Sequence, residues 1–276
     1  MQLQAIQQPI HLIKQINPNI SLQQINEIPV IMLSHPVGSA VIALQGAHLI
    51  SWQPHFAKQD IFWLSEVEPF KLGSAIRGGV PVCYPWFKDY ATPVHGYARI
   101  SLWQLSQWHI ADDKVELIFS LNDSNNLVEA TLKMEFSHEC RLTFTHYAPE
   151  AAQLALHSYF NVGDITQTTL FGLPKTALDT LINQQTEVPS PRHFDQETDA
   201  IYSAENSISH IDDKTQQRVI EIEHLNASDI VVWNPWHKKT SSMSDTGYQT
   251  MLCVETARIR EKLQQGESVQ TVIRLK

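Results

Sequence analysis

Two side chains in this sequence carry proton-transfer chemistry in surroundings that make it conspicuous. His157 lies within Leu154-Ala155-Leu156-His157-Ser158-Tyr159-Phe160-Asn161-Val162-Gly163-Asp164-Ile165, an apolar, strand-like run. A desolvated imidazole needs a partner, and its free pKa near neutrality makes it a ready donor or acceptor. The alternative is a hydrogen-bonded core histidine. Glu255 lies in Met251-Leu252-Cys253-Val254-Glu255-Thr256, where a carboxylate is costly unless it is paired or functional. Strand parity places Glu255 on one face with Met251 and Cys253, and Leu252 with Val254 on the other. Together the two supply an acid and a base.

Two loop-like segments add positive charge. Ala75-Ile76-Arg77-Gly78-Gly79-Val80-Pro81-Val82-Cys83-Tyr84-Pro85-Trp86-Phe87 gathers two glycines, two prolines and three aromatics around one arginine. Paired glycine permits close backbone approach or positive φ, and proline fixes the flanking chain. The segment reads either as a rigid loop displaying Arg77 or as a structural turn with a solvent-facing arginine. His95-Gly96-Tyr97-Ala98-Arg99 sets a histidine and an arginine beside a glycine. It is a binding loop or, in a chain with 13 histidines, an ordinary surface or core feature.

Other chemistries lack their signatures. There is no His-Glu-x-x-His, and His35, His48 and His55 have no ligand spacing within one element. No Gly-x-Ser-x-Gly elbow and no glycine-rich phosphate loop occur. Acid–base chemistry without metal or cofactor is the expectation. Cys83, Cys140 and Cys253 are odd in number and widely spaced, which suits reduced thiols in a cytoplasmic compartment rather than a disulfide framework. Twenty Lys and Arg against 29 Asp and Glu leave a charge of −9 with no basic run. That disfavours nucleic acid, which is bound through clustered cations. Met1 to Ile13 lacks a basic region followed by an apolar stretch, and no run of about 18 apolar residues occurs. Neither secretion nor a membrane is expected.

The elements that must position these residues are strands. Val128, Ala130, Leu132, Met134 and Phe136 alternate with Glu129, Thr131, Lys133 and Glu135, giving one inward and one outward face. Val115, Leu117, Phe119 and Leu121 precede this segment, and Leu142 with Phe144 follows it. Asn122-Asp123-Ser124-Asn125-Asn126 reads as the turn of a hairpin. Thr250 to Glu255 and Val269 to Leu275 read as two further strands, broken by Gln265-Gly266-Glu267, and the polar stretch Asp195 to Asp199 reads as a loop. No amphipathic helix of about twelve residues emerges. The expected fold is all-β, a large antiparallel β-sandwich, with residues 1–276 as one domain and a monomer as the default.

Taken together, these segments resemble the hexose-6-phosphate mutarotases, or glucose-6-phosphate 1-epimerases, a branch of the aldose 1-epimerase superfamily. The likeness runs from Gln45-Gly46-Ala47-His48 to the last strand. It takes in Asp60-Ile61-Phe62-Trp63-Leu64-Ser65, the Arg77 loop, His95-Gly96-Tyr97-Ala98-Arg99 and Leu156-His157-Ser158-Tyr159-Phe160. Glu197-Thr198-Asp199-Ala200-Ile201-Tyr202, Val232-Trp233-Asn234-Pro235-Trp236 and Cys253-Val254-Glu255 complete it. The resemblance implies a galactose-mutarotase-like supersandwich with the sugar on a concave sheet face. It further implies His157 as general acid, Glu255 as general base, Arg77 and Arg99 as contacts to substrate and its phosphate, and Asp199 as a ligand of sugar hydroxyls. His95 would bind substrate or support the transition state. Two departures are visible: Val94 precedes the His-Gly where some members carry a polar or small residue, and the Phe87-to-His95 segment is short.

Anomer exchange needs a proton delivered to the ring oxygen and one removed from the anomeric hydroxyl, which the acid and base supply. Arginine suits a phosphate because its planar fork binds two oxygens and stays charged, and Lys88 is the fallback. A mutarotase of unphosphorylated sugars and a non-catalytic carbohydrate-binding protein are the alternatives. The latter gains ground if His157 and Glu255 lie more than about one sugar ring apart.

Overall fold

The computed structural model describes residues 8–276, so residues 1–7, the first part of the stretch read for a leader, lie outside the described residues. Nearly every regular element is an antiparallel strand. The first five, β1 (Ile10–Gln15), β2 (Ile20–Ile25), β3 (Ile28–His35), β4 (Gly38–Ala43) and β5 (His48–Pro54), form a meander. Next come β6 (Val82–Cys83), β7 (Gln104–Ala111), β8 (Lys114–Asn122), β9 (Val128–Phe136) and β10 (Glu139–His146). They are followed by β11 (Ala152–Leu156), β12 (Tyr159–Asn161), β13 (Thr168–Phe171), β14 (Thr176–Asp179), β15 (Gln184–Glu187) and β16 (Arg192–His193). The last six are β17 (Thr198–Ser203), β18 (Ile208–Asp213), β19 (Arg218–Leu225), β20 (Asp229–Asn234), β21 (Met251–Leu263) and β22 (Ser268–Leu275).

Beyond the meander, one sheet runs β16-β13-β18-β19-β22-β10-β9-β8-β7 and another β15-β14-β17-β20-β21-β11-β6, with β12 also on β21. Among the described residues the helical segments are single 3-10 turns, and none is long and apolar enough to cross a membrane. One buried apolar cluster draws on all three sheets, with Ile42 and Trp52 from the meander, Leu132 and Phe144 from the long sheet, and Leu154 and Val254 from the third. Burial of such faces from water is the main favourable term in folding.

The alternating segments fold as their periodicity predicts. Ala130, Leu132, Met134 and Phe136 of β9 are buried, as are Val115, Leu117, Phe119 and Leu121 of β8, and the two strands pair across the Asn122–Asn126 connection. Val128, the outermost inward position, is exposed at the strand end. Three local readings change. Asp199 is not in a loop but second in β17, whose Thr198, Ala200 and Tyr202 are buried on the alternate face. His157 lies in a break between β11 and β12, not within a strand. Thr250 ends a 3-10 turn, and the strand starting at Met251 runs on to Leu263, well beyond Glu255.

Candidate active site

The eight-stranded sheet sets the site by register. Across β17, β20, β21 and β12, Asp199 pairs with Trp233, Trp233 with Cys253 and Cys253 with Tyr159. One row along, Ile201 pairs with Val231 and Val231 with Glu255. Because side chains two apart share a face, Asp199, Trp233, Tyr159 and Glu255 stand on the same side of the sheet. The opposite side, with Leu252 and Val254, belongs to the main core. Leu156 pairs with Thr256 and Tyr159 with Cys253, so the break at His157-Ser158 faces Val254-Glu255. The Ser158 carbonyl accepts from Val254 N–H at 3.2 Å, and His157 N–H donates to the Pro81 carbonyl at 3.0 Å. These bonds aim His157 across the strand gap, and its Nε2 is 3.3 Å from Glu255 Oε1.

The pair forms the floor of a cleft of about 220 Å³ whose walls include Arg77, Lys88, His95, Asp199, Trp233 and Thr240. Tyr159 stacks under the His157 ring, with centroids 4.8 Å apart and planes 13° apart, while Trp233 and His95 meet it edge-on. Glu255 Oε2 and His157 Nδ1 are buried and have no hydrogen-bond partner among the described residues. Burial pushes the Glu255 carboxyl well up, reinforced by Asp199 and opposed by Lys88 and Arg99. Burial likewise drives the His157 imidazolium well down, with His95, Arg99 and Arg77 adding to the effect. Both shifts disfavour the charged form of a buried group.

The flanking residues arrive from separate loops. Arg77 Nη1 donates to the Tyr159 hydroxyl at 2.9 Å, Nε to the Ser241 carbonyl at 3.1 Å and Nη2 to Ser241 Oγ at 3.1 Å. The Lys88–His95 loop closes through His95 N–H to the Lys88 carbonyl at 2.7 Å, which turns both side chains into the cleft. His95 Nδ1 accepts from Lys88 N–H at 3.3 Å. Burial and the nearby Arg99, Lys88 and Arg77 lower the His95 pKa to about 3, so this ring is neutral near pH 7.

Lys88 Nζ donates to both Asp199 carboxylate oxygens, at 2.8 and 2.9 Å, and to Thr180 Oγ1 at 2.7 Å. Arg99 differs from the other expected residues in not lining the cleft. Its Nη2 donates to the Val94 carbonyl at 2.8 Å, and its charge reaches His95, His157 and Glu255 from outside the lining. The structure thus brings Arg77, His95, His157, Asp199 and Glu255 together and leaves Arg99 behind them.

Phe87, Val231, Trp233 and Thr240 line the cleft with no role assigned from sequence, and Tyr159 backs it by stacking on the His157 ring. Tyr159 and Trp233 stand inside quoted motifs, but it is the strand register, pairing both with Cys253 two residues from Glu255, that places them on the site face. Thr240 follows Lys238 and Lys239 in a polar stretch with no signal of its own. Among the described residues no group of three or more His, Cys, Asp or Glu side chains is placed to hold a metal ion.

The chain is thus a large antiparallel β-sandwich with a buried His157–Glu255 pair at one sheet face. The family described as aldose 1-epimerase matches residues 29–276, and the chain belongs to it. It is an epimerase acting at the anomeric centre of a sugar. A relative from Haemophilus influenzae, provisionally named a glucose-6-phosphate 1-epimerase, is 53% identical over 266 residues, covering 96% of this chain and 98% of its own. An Escherichia coli relative with the same provisional name is 37% identical, covering 90% of each chain. A solved structure from Salmonella typhimurium, provisionally described as a mutarotase, is 32% identical with a TM-score of 0.92, covering 100% of this chain and 99% of that one.

Proposed function

We propose that this epimerase interconverts the α and β anomers of glucose 6-phosphate or a related hexose 6-phosphate, by general acid–base catalysis without metal or cofactor. The observation that carries the reading is the 3.3 Å separation of His157 Nε2 and Glu255 Oε1 on a buried cleft floor, beneath the cationic side chains of Arg77 and Lys88. That spacing lets the two groups reach the anomeric hydroxyl and the ring oxygen of one sugar, and it leaves unmet the condition that favours a binding-only protein.

In the productive state Glu255 is the carboxylate and His157 the imidazolium, whose second ring proton is the one passed on. The Glu255 carboxylate takes the proton of the anomeric hydroxyl while His157 protonates the ring oxygen, and the ring opens to the aldehyde. Rotation about the C1–C2 bond exchanges the aldehyde faces. Closure then reverses both transfers, which regenerates the starting pair. Neutral His95 is a hydrogen-bond donor through Nε2, since its Nδ1 accepts from Lys88 N–H. Asp199 offers carboxylate oxygens to hydroxyls. Each positioned acid or base contributes typically ~10²–10⁴-fold. Arg77 keeps one N–H free on each of its two Nη atoms after its three bonds to Tyr159 and Ser241, a fork suited to two phosphate oxygens. The buried, reduced state of all three thiols fits a cytoplasmic setting.

A second reading has an observation of its own. Lys88 is fully engaged by Asp199 and Thr180, so the cleft has less free cationic capacity than its composition suggests, which favours an uncharged hexose. Exchange NMR between the anomers of glucose 6-phosphate, with glucose and galactose alongside, separates the two. We expect faster exchange for the phosphosugar and a loss of ~10²-fold or more in Glu255→Gln and His157→Asn. Equal acceleration of glucose and glucose 6-phosphate overturns the phosphate assignment, and full activity in Glu255→Gln overturns the mechanism.

A further inference from the structure

Two buried side chains that proton transfer does not use grip the backbone on either side of Arg77. His48, at the start of β5, is fully buried with Nε2 2.7 Å from the Gly78 carbonyl oxygen. A carbonyl only accepts, so Nε2 carries the hydrogen and donates. The other ring nitrogen, Nδ1, is buried and has no partner among the described residues. Burial lowers the His48 pKa to about 4, so this neutral tautomer persists near pH 7. On the other side stands Glu68, only 4% exposed. Its Oε2 accepts from Arg77 N–H at 2.7 Å and its Oε1 from Phe70 N–H at 3.1 Å. The Arg77 carbonyl itself accepts from Ser65 N–H at 3.0 Å.

The loop needs such restraint. Gly78 and Gly79 have φ of +120° and +59°, and a Cβ on them would stand 2.5 Å from the Trp63 carbonyl oxygen and 2.3 Å from that of Leu49. The close approach therefore demands glycine, and glycine is the most mobile residue the backbone has. A binding group is placed only as well as the residues that support it, and here two side chains replace the rigidity that the glycines give up.

We propose that His48 and Glu68 are positioning residues that fix the Arg77 guanidinium in the cleft and so set affinity for the anionic end of the substrate. Neither lines the cleft. The inference rests on the reading of Arg77 as the phosphate contact.

The test compares His48→Leu, His48→Gln, Glu68→Gln and Arg77→Ala in anomer-exchange kinetics with glucose 6-phosphate, using inorganic phosphate as a competing probe. His48→Leu should raise KM about tenfold, equivalent to about 1.4 kcal/mol, and weaken inhibition by phosphate by a similar factor. Its kcat should stay within about twofold, because uniform binding is what is lost. His48→Gln keeps an amide donor for the Gly78 carbonyl and should recover most of the KM. Glu68→Gln loses one of two acceptors and should raise KM in the same direction.

An Arg77→Ala enzyme with unchanged KM and unchanged phosphate inhibition removes the phosphate reading itself. If Arg77→Ala raises KM while His48→Leu and Glu68→Gln do not, the positioning role alone fails. It fails too if His48→Leu and His48→Gln lose kcat equally, the mark of general structural damage. Should His48→Leu not fold, the KM-against-kcat split in Glu68→Gln decides the matter.

Discussion

Glu255 and His157 each resist charge, and the balance at Glu255 is set by Asp199 on the same sheet face and by Lys88 and Arg99 from the segments beside it. Burial is the first influence on Glu255, Asp199 pushes the carboxyl further up, and Lys88 with Arg99 pulls it down. The kcat/KM profile reports ionisations of the free enzyme, and in the proposed mechanism its acid limb marks protonation of the Glu255 carboxylate. Asp199→Asn removes an anion and frees Lys88 from its ion pair, so the Glu255 carboxylate becomes easier to form. The acid limb should then move to lower pH, and in Lys88→Met to higher pH. Profiles from exchange NMR check the pair of shifts; movement in the same direction for both variants refutes the electrostatic account. Glu255 and His157 were legible in the sequence because polar groups inside apolar runs demand an explanation. Lys88 was legible only as a fallback, since its partners Thr180 and Asp199 lie 92 and 111 residues away. Arg99 was read as a substrate contact from the resemblance, and its type and spacing do not reveal that its guanidinium donates to the Val94 carbonyl.

At the scale of elements, strands with one wet face were readable and strands defined by long-range pairing were not. Strands β8 and β9 follow strict alternation and meet across a five-residue connection, so periodicity and turn chemistry agree. That β10 should pair with β22, or β11 with β21, is written in no local pattern. The break that frees His157 was hidden as well, because the apolar run continues through it. The Lys88–His95 loop depends on one glycine for its closure. A Cβ on Gly96 would lie 1.9 Å from the Tyr84 carbonyl oxygen at φ +76°. Backbone cannot yield as a flexible side chain can, so Gly96→Ala should cost about 2 kcal/mol or more and displace Lys88 and His95 from the cleft. Gly266→Ala is the control: φ is +86° but nothing lies within 4 Å, so only strain of about 1 kcal/mol is expected. Denaturant midpoints and turnover of the two variants check the contrast; equal losses in both would show that the Tyr84 contact is unimportant.

For the molecule as a whole, several buried histidines make folding sensitive to acid. His224 sits between Ser209 Oγ at 2.9 Å and Thr256 Oγ1 at 2.7 Å, and burial lowers its pKa from 6.5 to about 3. The native state therefore declines a proton that the unfolded chain accepts below pH 6.5. Stability from this group is complete above that value and falls as pH drops toward about 3, by up to about 1.4 kcal/mol per pH unit. Denaturation at about pH 7 and about pH 5 should show the decline, and it should be shallower in His224→Asn; an unchanged slope would mean that His224 does not contribute.

The three cysteines have a consequence of another kind. All are buried and unpaired, Cys83 on β6 and Cys253 on β21 in the sheet that carries the site, Cys140 on β10 in the longer one. None offers a thiolate to a reagent while the sheets stay closed, since burial raises each pKa. Alkylation therefore waits on local opening, and the order in which the sulfurs are labelled is a clock, native to the chain, for which sheet opens first.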